Sequence, residues 1–193
     1  MPNNFEAWVP LVEGSLLKLG RLFLKNLRLL NTAVNIVSIL DLSALHTLDI
    51  RSCDNVVPVL RAFVKGFQQT SNVSLRTFRF YNRHLTKDVR QAAEQLLGSV
   101  EGLNEVVVTF GKGDLLLQLS HLLRHAESLQ DLEITTRGKV YSVADLRLLS
   151  VEFRDLQTLA LSIGDPDVYM HALGELEPFD ISIVHGYTDA LVG

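Results

Sequence analysis

The chain has 193 residues, of which 47% are hydrophobic and 21% charged, a composition typical of globular proteins that excludes an intrinsically disordered one. Its 18 basic and 22 acidic residues give a formal net charge of −4, which argues against a general polyanion-binding protein. Residues 1–100 carry 12 Lys and Arg against 7 Asp and Glu, and residues 101–193 carry 6 against 15, so we expect a basic end and an acidic end.

The first 18 residues have an amphipathic pattern. Apolar residues recur at roughly helical spacing from Phe5 to Leu17, although Pro10 and Gly14 interrupt the pattern. We therefore predict that residues 1–18 form an N-terminal cap or the last helix of a preceding repeat.

One short motif then occurs six times: a leucine, two variable residues, a large apolar residue, one variable residue and another apolar residue. The copies occupy residues 19–24, 45–50, 75–80, 103–108, 129–134 and 156–161. Their first residues lie 26, 30, 28, 26 and 27 positions apart, which is the length of one strand plus one helix. Because apolar and variable residues alternate, each copy predicts a short strand whose apolar side chains face the core.

The segments between the motifs change to helical spacing. Apolar residues recur every three or four positions over 56–67, 89–97 and 115–126, with a shorter pattern over 143–149. Ser142 followed by Asp145 has the capping-box arrangement that begins a helix. Near the end, Phe179, Ile181 and Ile183 predict a seventh strand inside an irregular unit over residues 178–193.

Alternating strands and helices at this period predict a single α/β domain over residues 1–193. Right-handed crossovers connect parallel strands, so we expect a leucine-rich-repeat solenoid with parallel strands on its concave side and helices on its convex side. Such arrays need polar caps at both ends. Because the end units are too small to supply them, we expect a fragment of a larger protein, with a homodimer through an uncapped end as the alternative.

Cysteine content and hydropathy bear on the cellular compartment. The chain has one cysteine, Cys53, which excludes an internal disulfide and is typical of a reducing compartment. As the residue at a repeat turn, and with no base near it in the sequence, Cys53 is expected to be buried and unreactive. The N-terminus lacks a basic segment followed by an apolar run, and Asn35 and Asp41 interrupt the most apolar stretch. We therefore predict an intracellular protein of the cytoplasm or nucleus, without a membrane span.

Three segments carry a family resemblance: LLKLGRLFLKN at 16–26, HAESLQDLEI at 125–134 and DLQTLAL at 155–161. They resemble the leucine-rich repeats of intracellular F-box-type proteins, especially fungal ones. The resemblance implies a ribonuclease-inhibitor-like solenoid that holds a protein target, as the substrate receptor of a ubiquitin ligase. Eighteen residues before the first motif are too few for the three helices of an F-box, so that role would need sequence outside this chain.

If the six strands pair in register, their outward side chains form three columns across the sheet. The residues that we predict to contact a partner there are Arg21, Phe23, Lys25, Asp49, Arg51, Arg79, Tyr81, Glu105, Asp131 and Glu133. Basic residues gather in the early strands and acidic residues in the later ones, and Phe110 is expected to add aromatic surface. Arginine and aromatic residues often dominate interfaces, so we predict a protein partner whose binding needs Arg51 and Arg79.

The sequence contains no recognisable catalytic or metal-binding motif. His121 and His125 lie one helical turn apart, but no third ligand or metalloprotease glutamate accompanies them, so we predict an exposed helix face. We expect no catalytic residue, cofactor or metal. Two alternatives stay open: an enzyme of unrecognised type, which would need a deep pocket of titratable groups, and a nucleic-acid-binding scaffold, which the acidic half disfavours.

Overall fold

The structure is a computed structural model that describes residues 16–29, 36–112, 115–136, 139–163, 180–181 and 184–185. Six strands follow the six motifs: β1 Arg21–Lys25, β2 Thr47–Arg51, β3 Thr77–His84, β4 Glu105–Lys112, β5 Asp131–Thr136 and β6 Thr158–Ile163. Three α-helices are described over their whole length, α1 Val57–Gln69, α2 Lys87–Ser99 and α3 Val143–Glu152; residues 36–38 are also helical, and a 3₁₀ helix spans Leu119–His125. Two short strands complete the described elements, β7 Asp180–Ile181 and β8 Val184–His185.

The strands form one parallel sheet in chain order. Each of β1 to β5 pairs in parallel with the next strand, and β7 and β8 both pair with β6. Each of the six long strands begins two residues after the first leucine of its motif, which confirms the predicted strands and the α/β class. The strand predicted near residue 181 is confirmed over Asp180–Ile181, whereas the N-terminal cap predicted for 1–18 falls mostly outside the described residues.

The backbone repeats one hydrogen-bond arrangement at the entry to successive strands. The carbonyl of Gly20 accepts the N–H groups of His46 and Thr47, at 2.8 and 3.0 Å. In the same way, a single carbonyl accepts two N–H groups of the next motif at His46, Arg76, Asn104 and Gln130. Each accepting residue is the second residue of its motif, so successive units stack in equivalent positions.

The apolar residues of the motifs form the core. Leu48 and Ile50 of β2 are fully buried, and Phe63 of α1 and Leu96 of α2 belong to the same hydrophobic cluster. Phe110 also belongs to it, so the prediction that Phe110 adds aromatic surface is wrong. Phe110 lies two residues after the inward residue at 108 and four after that at 106. Because strand side chains alternate between the two faces, all three point into the core.

The helices differ in how closely they follow the sequence pattern. α1, α2 and α3 confirm the patterns over 56–67, 89–97 and 143–149, and Ser142 and Asp145 form the predicted capping box. The pattern over 115–126 instead yields a 3₁₀ helix that begins only at Leu119. The preceding peptide group is held by neighbouring elements, because the Leu117 carbonyl accepts from the Tyr141 hydroxyl at 3.0 Å and the Gln118 N–H donates to Glu94 at 2.9 Å.

Two helical glycines allow a matched stability test. A methyl group at Gly66 in α1 would lie 2.5 Å from a buried Leu42 methyl and 3.1 Å from Val37, whereas at Gly98 in α2 its nearest neighbour would be 3.8 Å away. We expect Gly98→Ala to raise the free energy of unfolding by about 0.5 kcal/mol through helix propensity, and Gly66→Ala to lower it by about 1 kcal/mol through overpacking. Urea denaturation followed by circular dichroism measures both, and equal stabilisation by the two variants would contradict the close packing of α1.

Candidate protein-interaction face

The strand side chains directed away from the helices form a second face of the sheet, which we call the outer face. The pairing register aligns them in three columns, as predicted. The first column contains Arg21, Thr47, Thr77, Glu105, Asp131 and Thr158. The second contains Phe23, Asp49, Arg79, Val107, Glu133 and Ala160, and the third contains Lys25, Arg51, Tyr81, Thr109 and Thr135.

The outer face is most exposed at its β1 end. Arg21 and Lys25 are exposed, and the side chain between them, Phe23, is 60% exposed. On β3, Tyr81 is 37% exposed. Exposed aromatic rings beside basic groups are the residue types that contribute most to protein interfaces.

Asp49 does not lie on the surface as its column position predicts. It is only 2% exposed, and the Arg51 guanidinium on the same strand binds it with two hydrogen bonds, Nε to Oδ1 at 2.7 Å and Nη2 to Oδ2 at 2.8 Å. This hydrogen bond to Asp49 raises the pKa of Arg51. Arg51 therefore neutralises a buried carboxylate, in addition to any contact with a partner.

A second ion pair crosses between neighbouring strands. The Nε of Arg79 on β3 donates to Oε1 of Glu105 on β4 at 2.7 Å, and this hydrogen bond raises the pKa of Arg79. Both side chains are partly buried. The two arginines thus have structural partners on the outer face, which their residue types alone did not indicate.

The Asp49–Arg51 pair gives a stability prediction. Arg51→Ala is expected to lower the free energy of unfolding by about 1–3 kcal/mol, because it leaves the buried Asp49 carboxylate without its partner. Asp49→Asn added to this variant is expected to recover part of the loss, because it removes the unpaired charge. Chemical denaturation of both variants provides the measurement, with the exposed Arg21→Ala as a control expected to stay within about 0.5 kcal/mol of wild type. A loss of the same size for Arg21→Ala would contradict this assignment.

The outer face is partly closed on β6. Ala160 and Ser162 are buried, although their phase in the motif directs them outward. The Ser162 hydroxyl accepts from the Thr136 N–H at 2.8 Å and donates to the Thr136 carbonyl at 3.0 Å. On β6, the outer face is therefore accessible at Thr158, at the start of the strand, but not at Ala160 or Ser162.

The histidine pair of the 3₁₀ helix is not an exposed face. His121 is half-buried, but His125 is fully buried, so the prediction is wrong for His125. Its Nδ1 accepts the Leu103 N–H at 3.4 Å, and its Nε2 donates to the Leu97 carbonyl at 3.0 Å. His125 thereby joins the end of α2 to the following motif, and burial lowers its pKa from 6.5 to about 4.

A cleft of about 630 Å³ lies on the helical side, between α2, the segment before the 3₁₀ helix, and α3. Arg90, Lys139, Tyr141 and Asp145 contribute its titratable groups. The Tyr141 hydroxyl is bound to the Leu117 carbonyl, and Asp145 accepts from the N–H and hydroxyl of Ser142 at 2.8 and 2.7 Å. Both groups therefore hold neighbouring backbone or side-chain groups in place. The expectation that the chain is noncatalytic stays a prediction.

Cys53 is buried, as predicted. Its thiol lies 3.4 Å from the Leu24 carbonyl, and burial raises its pKa. Across the part of the chain that the structure describes, no three His, Cys, Asp or Glu side chains come together as a metal site. Among the described helices, none is long and apolar enough to cross a membrane.

Comparison of this chain with models of protein families, with curated proteins and with solved structures finds no match. The functional interpretation therefore depends on the geometry of the outer face and on the resemblance of the repeated motif.

Proposed function

We propose that this chain is a leucine-rich-repeat solenoid that works as a noncatalytic protein-interaction domain, with the outer face as the concave binding surface. The observation that carries the proposal is the exposed group on β1, in which Phe23 lies between two exposed basic side chains. The repeated strand-entry hydrogen bonds support the solenoid, because they recur once in each successive unit.

We propose further that the partner is a protein that such a domain would hold as a ubiquitin-ligase substrate. The resemblance of the segments at 16–26, 125–134 and 155–161 to F-box-type repeats supports this role. An F-box would be supplied by sequence outside this chain. Ubiquitylation of a captured protein that depends on the outer face would be the specific test of this role.

The binding test uses residues that are exposed and outside the two ion pairs. Reversing Arg51 would place a carboxylate beside the buried Asp49, so a loss of binding could reflect a loss of stability. Arg21→Glu with Lys25→Glu avoids this problem, because both side chains are exposed and make no described ion pair. The matched control is Arg61→Glu with Lys65→Glu, which makes the same charge change on the exposed side of α1.

Immobilised wild type and the two variants are incubated with cell lysate, and captured proteins are identified by mass spectrometry. We expect a protein that binds wild type and the α1 variant, is lost from the β1 variant, and rebinds as a purified protein with the same pattern. Equal capture by all three chains would contradict an interaction through the outer face. Capture of RNA or DNA with steep salt dependence would instead favour the nucleic-acid alternative.

A further inference from the structure

The charged side chains of the outer face divide into paired and unpaired groups. Asp49 with Arg51, and Arg79 with Glu105, approach within 2.7 Å and form ion pairs. These pairs lie on β2, β3 and β4, so they leave little net charge in the middle of the face. The remaining charges of the three columns lie on β1 and β5, and the exposed Arg83 lies beyond the columns near the end of β3.

The unpaired charges have opposite signs at the two ends. Arg21 and Lys25 lie on β1, and Asp131 and Glu133 lie on β5. Within the described residues, none of these four side chains makes an ion pair. Arg21 and Asp131 occupy the same column, so the positive and negative ends face the same side of the sheet.

The two ends are too far apart to neutralise each other. Four strand spacings separate β1 from β5, which is about 19 Å at about 4.8 Å per spacing. This distance exceeds the Debye length of roughly 8 Å at physiological ionic strength, so each end acts on its surroundings as a separate charge. Thr47, Thr77 and Thr109 contribute uncharged surface between them.

The β1 end also has an apolar contact site that β5 lacks. Phe23 lies between Arg21 and Lys25 along β1, and Glu133 occupies the same column on β5. A partner that fits both ends therefore needs an apolar residue beside its acidic groups. A uniformly acidic or uniformly basic partner would be repelled at one end.

We propose that the partner bound by the outer face is a protein segment that lies along the columns, with carboxylates and an apolar residue over β1 and basic side chains over β5. This inference rests on the proposed function above. An extended segment covers the distance of about 19 Å with about six residues. Its recognition depends on the order of its charges and not on its net charge.

The test compares two synthetic peptides of identical composition. The bipolar peptide has one leucine and two glutamates, a spacer of about six glycine and serine residues, and two lysines. The alternating peptide contains the same residues with glutamate and lysine alternating along its length. A reversed bipolar peptide is not a control, because it can bind in the opposite direction.

Binding is measured by fluorescence anisotropy at physiological ionic strength, where a Debye length of roughly 8 Å keeps the two ends separate. We expect wild type to bind the bipolar peptide about tenfold more tightly than the alternating peptide, from the sum of four charge contacts at the surface. Arg21→Glu with Lys25→Glu should abolish this preference, because both ends of the face are then acidic. Adding Asp131→Lys and Glu133→Lys should restore it, because the polarity of the face is then reversed.

Restoration by the fourfold variant separates charge recognition from unfolding, and a thermal unfolding curve of each variant confirms that it is folded. Equal binding of the two peptides by wild type, or a folded fourfold variant without the preference, would overturn the inference. Dimerisation of wild type in sedimentation experiments, lost in the β1 variant, would assign the face to a second copy of the chain and would also overturn it.

The two proposals can fail separately. If the β1 variant loses the captured cellular protein while the two peptides bind wild type equally, the outer face binds a protein but this description of its partner is wrong. If the β1 variant captures the protein as well as wild type does, the proposed function itself fails.

Discussion

Phe80→Ala is expected to lower the free energy of unfolding by about 3–5 kcal/mol, the largest effect among the substitutions considered. Phe80 is fully buried on the central strand β3, where its ring lies 6.1 Å from that of Phe78 and 5.8 Å, edge-on, from that of Phe110. Alanine removes apolar contacts and two aromatic interactions at once, and it leaves a cavity that neighbouring units can fill only in part. Urea denaturation monitored by circular dichroism gives the free energy of unfolding.

Phe23→Ala is the matched control for Phe80→Ala. Both residues are strand phenylalanines, but Phe23 faces outward from β1 and is 60% exposed. We expect a change of less than about 0.5 kcal/mol, because exposed substitutions remove few contacts. Equal losses for the two variants would contradict the assignment of opposite strand faces to the two residues.

The second large effect is a loss of stability at mildly acidic pH caused by His125. Burial lowers the pKa of this fully buried residue from 6.5 to about 4. A protonated ring would also carry a hydrogen on Nδ1, which accepts the Leu103 N–H in the neutral form. The folded chain therefore keeps the ring neutral in a pH range where the unfolded chain binds a proton.

The sign of the effect follows from proton linkage. The unfolded state binds more protons between the two pKa values, so stability is complete above about pH 6.5 and is lost as the pH falls towards 4. We expect a loss of about 2 kcal/mol between pH 7.5 and 5, and about 3 kcal/mol in total. Denaturation curves recorded at several pH values over this range measure it.

His125→Gln separates this effect from the titration of other groups. Glutamine has both a donor and an acceptor but does not titrate, so the variant should lose about 2 kcal/mol less than wild type between pH 7.5 and 5. The free energy of unfolding of each protein is compared with its own value at pH 7.5. A packing defect caused by the substitution lowers both values and so does not affect the difference. An unchanged pH dependence in this variant would show that another group causes the loss.

The strands and their register could be predicted from the sequence because they depend on local alternation. The motif places an inward residue at every second position, and its recurrence at every strand, 26 to 30 residues apart, aligns equivalent residues of neighbouring strands. Arg21, Phe23 and Lys25 were correctly placed on one face in this way. The capping box at Ser142 was also predictable, because its two partners lie three residues apart.

The structure departs from the sequence prediction where the hydrogen-bond partner of a residue belongs to another repeat unit. Residues 115–126 have helical periodicity, but Glu94 and Tyr141 hold the peptide group at 117–118, so the 3₁₀ helix starts later. The sequence around His125 predicts an exposed histidine. The side chain is instead buried, with hydrogen-bond partners at the end of α2 and in the motif that follows α2.

The sequence by itself determined that this chain alternates strands and helices, that its strand side chains form columns, and that positive charge comes before negative charge along it. Only the tertiary structure decided which of those charges remain available for a partner. Arg51 and Arg79 look equivalent to Arg21 in the motif, but they bind Asp49 and Glu105. The physical reason is that alternation fixes only the direction of a side chain, whereas pairing depends on distances of a few ångströms between groups that the fold brings together.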